Sequence, residues 1–383
     1  MVNVCILTYG CASNFSDSEV IAGILSKNGF RIVEEPKDSF LIIINSCTVK
    51  GEKNIKKTFS KLYSEFPNKK FLIAGCLTER LINGIIEISV DVSFLSTHNI
   101  DDVICAVEET INDNPIRITD VPEKHGKKIG LPRIRKNSIV SIIPISTGCL
   151  SECSYCSVRL IKGKLHSYPM EDIIKEAENA IASGCKEIWI TSQDTACYGI
   201  DLYSKQRLPE LLRSILAIGG DFRVRLGMGN PQFIEKIKDE MLEILKDAKM
   251  FRFLHIPAQS GNDDILKKMN RGYSRESYIG LVKFFRASIP DITIATDVIC
   301  GFPTETDEQF RDSLSLLDET MPDIVNISKY QAREGTSAES LIEVAPETIK
   351  DRSRAMTSHF DWIAYERNKV WKDWNGKALV EEK

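Results

Sequence analysis

Six of the chain's cysteines fall into two sets with different spacing. The compact set is Cys149-x-x-x-Cys153-x-x-Cys156, inside the run TGCLSECSYCSVR. The dispersed set is Cys11, Cys47 and Cys76, each just after a β-type run. A protein that closes an iron–sulfur cubane supplies four thiolates. A set of three leaves one iron without a protein ligand, and an open iron can bind a substrate. Two such sets point to two clusters whose task exceeds electron carriage. In the compact set, spacings of four and three residues let one tight loop wrap three corners of a cubane. The open corner suits the amino and carboxylate groups of S-adenosylmethionine. A zinc site is the competing reading, but it usually needs a fourth protein ligand and C-x-x-C pairing.

The chain has 383 residues, 43% hydrophobic and 27% charged. That is an ordinary globular balance, with length for two or three domains. No run of ~18 apolar residues occurs, so no membrane span is expected. The start, MVNVCILTYGC, lacks a signal peptide's basic and apolar stretches. A cytoplasmic protein is expected. Eleven cysteines in a reducing compartment do not read as a disulfide framework; the patterned ones read as metal-binding or catalytic. Cys5, Cys105, Cys185 and Cys300 read as small buried hydrophobes, with Cys197 nearer the expected mouth of the site. The net charge of −4 does not advertise nucleic-acid binding. Two local basic patches do more: Lys127, Lys128, Arg133, Arg135 and Lys136 after His125, and Lys50, Lys53, Lys56, Lys57 and Lys61. Either alone reads as solvated surface; together, beside two candidate cluster sites, they favour an anionic partner.

The first ~115 residues alternate strand and helix signals, as in a parallel α/β domain. VNVCILTYG, FLIIINS and KKFLIAG read as strands, with DVSFLS a further strand or turn. SDSEVIAGILSKNG reads as a helix with Ser16 as its N-cap and Gly29 at its end, and NIKKTFSKLYSEF and IDDVICAVEETIND read as helices. Cys11, Cys47 and Cys76 sit at strand carboxyl ends, where open parallel sheets form their sites. Three parallel strands would deliver three thiolates to one rim. A linker rich in Pro and Gly follows. A second series then offers six strands, SIVSIIPIST, EIWITSQD, FRVRLGMGN, FRFLHIPAQS, DITIATDVICG and DIVNISKYQ. Between them lie helical patterns, PQFIEKIKDEMLEIL among them. Six βα units make a partial barrel with its chemistry at the strand carboxyl ends. The expected domains are 1–115, a linker 116–137, a barrel 138–345, a helix 346–375 and a short stretch 376–383.

CLSECSYC resembles the radical S-adenosylmethionine motif, with Tyr155 as the aromatic beside its last cysteine. The dispersed cysteines, the linker, the barrel, and the phrases HIPAQSG, ICGFPTET and AREGT resemble the methylthiotransferase family from Val2 to about Trp374. GCLSECSYC, EIWITSQDTACYG, LGMGNP and FLHIPAQS look most like its archaeal and eukaryotic branch. The resemblance implies an α/β chain, with an N-terminal parallel sheet followed by a partial (βα)6 radical-SAM barrel. It implies a tRNA methylthiotransferase acting on N6-threonylcarbamoyladenosine beside the anticodon. Two 4Fe–4S clusters would serve it. The one on Cys149, Cys153 and Cys156 would generate a radical from S-adenosylmethionine that takes hydrogen from adenine carbon 2. The auxiliary one, on Cys11, Cys47 and Cys76, would deliver the methylthio group.

The resemblance also suggests S-adenosylmethionine-binding positions at Tyr155, Ser192, Gln193, Asp194, Arg225, Gln259, Asp297 and Glu305, with Asn230, Ser260 and Gly301 near them. Each could instead serve packing or capping; Thr304–Glu305 could cap TDEQFRDSL. His255 reads as a satisfied rim histidine and Trp189 as barrel packing. Implied partners are the tRNA anticodon stem-loop and a reduced flavodoxin- or ferredoxin-type electron donor. Relatives carry a C-terminal β domain that grips RNA. GKALVEEK is too short for one, so weaker tRNA affinity is expected than for a relative with that domain. The alternatives are the same chemistry on isopentenyladenosine tRNA or a ribosomal-protein aspartate, and a zinc or metal-free RNA-binding module.

Overall fold

The computed structural model describes residues 1–47, 52–120, 126, 128–376 and 379–380. Lys50, His125, Lys127 and most of GKALVEEK lie outside the described residues. Internal packing divides the chain into two units. One joins Met1–Gly148 with Ile161–Cys185; the other joins Cys149–Leu160 with Lys186–Lys383.

The first unit is built on a parallel sheet. Its elements are β1 (Asn3–Tyr9), α1 (Ala12–Lys27), β2 (Arg31–Val33), β3 (Leu41–Ser46), α2 (Glu52–Glu65), β4 (Lys70–Gly75), α3 (Glu79–Ile86), β5 (Val92–Ser96), α4 (Val103–Ile111) and β6 (Arg117–Ile118). The strand order is β2-β1-β3-β4-β5-β6. Central β3 is buried throughout, as a strand covered on both faces must be. Its alternate residues serve two cores. Leu41 and Ile43 pack with Val20, Ile21 and Leu25 of α1 and Val103 and Val107 of α4. Ile42 and Ile44 pack with Ile55 and Phe59 of α2 and Leu81, Ile82 and Ile85 of α3.

Helix α1 starts earlier than expected. Its N-cap is Cys11, whose N–H donates to Asn14 Oδ1 at 3.3 Å. Ser16 lies inside the helix and its hydroxyl faces the Ile142 carbonyl at 3.4 Å. The polar run that looks like a cap is instead a buried, hydrogen-bonded helix face. The linker also differs from a solvated strap. Lys128 and Arg133 are turned inward: Arg133 meets Glu176 at 2.9 Å and Glu19 at 3.6 Å. These two charges of the basic patch are committed to the interior, not to an external anion.

The chain continues with β7 (Val140–Pro144), β8 (Ser146–Thr147), α5 (Val158–Lys162), β9 (His166–Ser167) and α6 (Met170–Ala182). The second unit follows with β10 (Glu187–Thr191), α7 (Ile200–Tyr203), α8 (Leu208–Leu216), β11 (Arg223–Leu226), α9 (Pro231–Ile234), α10 (Lys238–Leu245), β12 (Phe253–His255), α11 (Asp263–Lys268), α12 (Arg275–Ser288), β13 (Thr293–Cys300), α13 (Asp307–Thr320), β14 (Ile324–Lys329) and α14 (Pro346–Asn368). Strands β10 and β11 pair in parallel, as do β12–β13–β14, and a parallel bridge from Val224 to Met250 carries β11 toward β12. The single helix expected over PQFIEKIKDEMLEIL is broken by a tighter turn at Glu235–Ile237, where Phe233, Ile234 and Ile237 are all buried. No described helix is long and apolar enough to cross a membrane.

Candidate active site

The rim of the first unit gathers the dispersed cysteines. Strands β1, β3 and β4 are neighbours, and Tyr9 pairs with Ser46, which pairs with Gly75. Cys47 and Cys76 directly follow that register, and Cys11 follows two residues past Tyr9 at the start of α1. The Cys47 thiol lies beside both Cys11 and Cys76 and acts on each as a donor. Residues 36 and then 29 apart in sequence therefore share one thiol cluster. The backbone beneath is fixed. Asn14 Nδ2 donates to the Ser46 carbonyl at 2.9 Å, and Asn45 Nδ2 donates to the Asn14 carbonyl at 2.8 Å. Gly75 has φ +101°, and a Cβ there would lie 2.3 Å from Asn45 Oδ1. Only glycine lets β4 turn Cys76 onto the rim.

Charge at this rim favours thiolates. The bond from Cys47 holds Cys11 well below the ordinary thiol range, against its burial, with help from the Lys162 ammonium and the Asn14 and Ser13 N–H groups. The helix start contributes in the same sense. Cys76 is lowered by the Cys47 bond and by Lys162, and Cys47 is pushed up as the shared donor. Lys162 Nζ donates to Ser13 Oγ at 3.0 Å. Nearby, Lys128 Nζ donates to both Asp17 oxygens at 2.9 Å and to Thr97 Oγ1 at 2.7 Å.

The compact motif forms a loop in the second unit, and neighbouring loops hold it by hydrogen bonds. Ser154 N–H donates to the Met269 carbonyl at 3.1 Å and its hydroxyl to the Lys268 carbonyl at 2.7 Å. Asn270 Nδ2 reaches the Glu152 carbonyl at 2.7 Å, and Asn230 Nδ2 reaches Ser151 Oγ at 3.1 Å. Arg271 Nη1 donates to Cys153 Sγ at 3.3 Å, and its other nitrogens reach Asn230 Oδ1, the Pro257 carbonyl and Tyr273. Burial pushes Cys149 up to about 12, with the Asp194 carboxylate adding to it, and burial also raises Cys156. The two triads thus differ: Cys11 and Cys76 favour ionisation before metal arrives, whereas Cys47, like Cys149 and Cys156, must release a proton to bind it.

The other expected positions divide. Tyr155 packs beside Ile265, Met269, Phe302, Tyr330 and Ala338. Ser192 accepts from the Asp194 N–H at 2.9 Å. Gln193 Oε1 is buried without a partner among the described residues, an acceptor awaiting a donor. Gln259, at φ +66°, bonds through its N–H to the Asp297 carbonyl at 2.7 Å. Asp297 Oδ1 accepts from His255 Nε2 at 2.9 Å and Asn326 Nδ2 at 2.7 Å, so His255 is satisfied as expected. Asp194 is fully engaged, accepting from the Ala196 and Asn230 N–H groups and the Cys197 thiol. Arg225 is stacked between Trp189 and Phe253, 4.8 Å from each ring centroid. Glu305 accepts from the Gly301 N–H and Arg352, each at 2.9 Å, while Thr306 caps α13. Ser260 is buried beside Ser313.

Sequence reasoning missed Arg271 and Lys162. Each is an ordinary basic residue in a polar run, MNRGYS and LIKGK, and nothing local marks it. Neither triad converges on one point: among the described residues, no group of three or more His, Cys, Asp or Glu side chains is set to hold a metal ion. A cluster instead takes each thiolate on its own iron.

Comparison with known proteins matches residues 143–317 to the Radical SAM superfamily and residues 3–96 to the uncharacterized protein family UPF0004. Solved structures share the fold: the radical S-adenosylmethionine methyltransferase TsrM from Kitasatospora setae aligns at TM-score 0.60 and 14% identity, over 88% of this chain and 75% of that one. A probable threonylcarbamoyladenosine tRNA methylthiotransferase from Methanothermobacter thermautotrophicus is 39% identical, over 96% of this chain and 86% of its own. One from Archaeoglobus fulgidus is 42% identical, over 96% and 85%. The human threonylcarbamoyladenosine tRNA methylthiotransferase is 36% identical, over 93% and 62%. The chain belongs to the threonylcarbamoyladenosine tRNA methylthiotransferase family, an α/β family with a radical-SAM domain.

Proposed function

We propose that Cys149, Cys153 and Cys156 hold one 4Fe–4S cluster and Cys11, Cys47 and Cys76 a second. They would serve an enzyme that converts N6-threonylcarbamoyladenosine beside the tRNA anticodon to its 2-methylthio derivative. The observation that carries the reading is the shared thiol cluster of Cys11, Cys47 and Cys76 at the end of three adjacent strands. Its donor set fits: three soft sulfur ligands, two of them, Cys11 and Cys76, drawn toward the thiolate, with a buried ammonium beside them. When bound, the clusters and S-adenosylmethionine supply radical and sulfur-transfer chemistry that acid–base groups cannot offer an aromatic C–H.

The chain's own residues position and exclude. Arg271 orients Cys153 and draws the loop against Asn230 and Pro257. Tyr155, packed into its apolar neighbours, keeps water from the loop's far side. Ser192, Gln193 and Gln259 offer polar groups at strand ends for S-adenosylmethionine. Asp194, Arg225, Asp297 and Glu305 act through the hydrogen bonds and stacking that lock those strand ends. The names of the relatives favour threonylcarbamoyladenosine over isopentenyladenosine or a ribosomal-protein aspartate. A flavodoxin- or ferredoxin-type donor in the cytoplasm completes the reading. Mass spectrometry of tRNA nucleosides from a deletion strain tests it. Loss of the 2-methylthio threonylcarbamoyl nucleoside supports the assignment, and its persistence overturns it.

A further inference from the structure

Lys162 is 3% exposed, at the end of α5, and its one hydrogen bond among the described residues goes to Ser13 Oγ. A buried ammonium needs a counter-charge. The carboxylate that acts on it, Asp17, is 2% exposed and is already held through both oxygens by Lys128. Two buried cations therefore face one buried carboxylate. Cys76, Cys11 and Cys47 also act on Lys162 and favour its charge, whereas the like charge of Lys128 opposes it. The position is built. His98 Nε2 and the Ile161 carbonyl, 2.7 Å apart, hold the end of α5, and Ser13 lies two residues past Cys11.

We propose that Lys162 is the built-in counter-cation of the three-thiol rim, fixed by Ser13 to offset the negative charge of the cluster held there and to raise its reduction potential. The inference rests on the cluster reading above. An oxidised cubane with three thiolates bears one net negative charge, which the single surplus cation matches. Reduction adds a second negative charge, and a nearby positive charge in a low-dielectric interior favours that form. Lys162 is a positioning residue: it acts on the cluster through its field and touches no substrate.

The test is an anaerobic redox titration, followed by electron paramagnetic resonance, of the full chain carrying Cys153→Ala to silence the loop cluster. Lys162→Met is expected to make the rim cluster at least tenfold harder to reduce, a fall of about 59 mV for a one-electron couple. Lys162→Arg is expected to restore most of it, and Ser13→Ala to give a smaller fall of the same sign. Exposed Lys164→Met should change nothing. Should Lys162→Met lose its rim iron, iron retained in Lys162→Arg supports the charge role, and equal loss overturns it. An unshifted potential in Lys162→Met also overturns it. No rim signal in the Cys153→Ala parent would instead sink the cluster reading on which it rests.

Discussion

The Arg271 guanidinium donates to the Cys153 sulfur across 3.3 Å, from a position 118 residues further along the chain. Its remaining donors tie Asn230 and Pro257 to the same point. A fork of fixed donors does this; a lysine's single ammonium does not. A hydrogen bond to a charged group contributes about 1.5–3 kcal/mol. Arg271→Ala is therefore expected to slow 5′-deoxyadenosine formation by about 10- to 100-fold, with Arg271→Lys recovering little. Chromatographic quantification of 5′-deoxyadenosine checks this, and unchanged rates in Arg271→Ala would refute it.

The Asp17–Lys128 pair makes a stability prediction. Both side chains are buried, and removing one charge strands the other. Asp17→Asn is expected to cost about 3–5 kcal/mol. Thermal melting followed by circular dichroism should show a clearly lower midpoint. The double variant Asp17→Asn with Lys128→Met should recover part of the loss, since it removes the stranded Lys128 ammonium. A midpoint for Asp17→Asn equal to the parent's would show that the pair does not stabilise the fold.

Much of the fold was legible because its signals are local. FLIIINS is apolar at every other position and between, which suits a strand covered on both faces. The cysteines stand out because three similar thiols each follow such a run. What escaped reading depends on distant partners. Ser16 resembles an N-cap in isolation, yet α1 starts at Cys11 because Asn14 and Asn45 clamp that turn to β3. Lys128 and Arg133 resemble surface charge, yet Asp17 and Glu176 draw them inside. Lys162 meets Ser13 across 149 residues, a pairing no window of sequence contains. Asp194 and Glu305 sit at the strand ends where binding residues were expected, but backbone N–H groups already occupy Asp194's carboxylate, and the Gly301 N–H and Arg352 occupy Glu305 Oε2, leaving only its buried Oε1 without a partner among the described residues.

The unequal thiols give a pH prediction for the metal-free chain. Cys11 is lowered, chiefly by the Cys47 bond, so its thiolate persists as pH falls. Cys149 is raised by burial, so its thiolate stays scarce until high pH. Between about pH 6.5 and 8.5, alkylation of Cys11 should change little, while that of Cys149 should climb roughly tenfold per pH unit. Peptide mass spectrometry resolves the two. Parallel profiles would show that the rim does not pre-ionise its thiols.

The triads should fail separately. Cys153→Ala is expected to abolish 5′-deoxyadenosine formation while rim iron remains. Cys47→Ala is expected to keep 5′-deoxyadenosine formation while the methylthio product falls below detection. Assaying both products on the same tRNA distinguishes them; loss of both activities in Cys47→Ala, with the loop iron intact, would count against separate tasks.

The central claim is that two sets of three thiols each hold their own cluster, and anaerobic iron and sulfide determination tests it most directly. The account predicts about eight irons per chain, two cubanes, and about four after replacing either Cys11, Cys47 and Cys76 or Cys149, Cys153 and Cys156 with alanine. A colourless zinc-bearing chain, or undiminished iron in either triple variant, would contradict it.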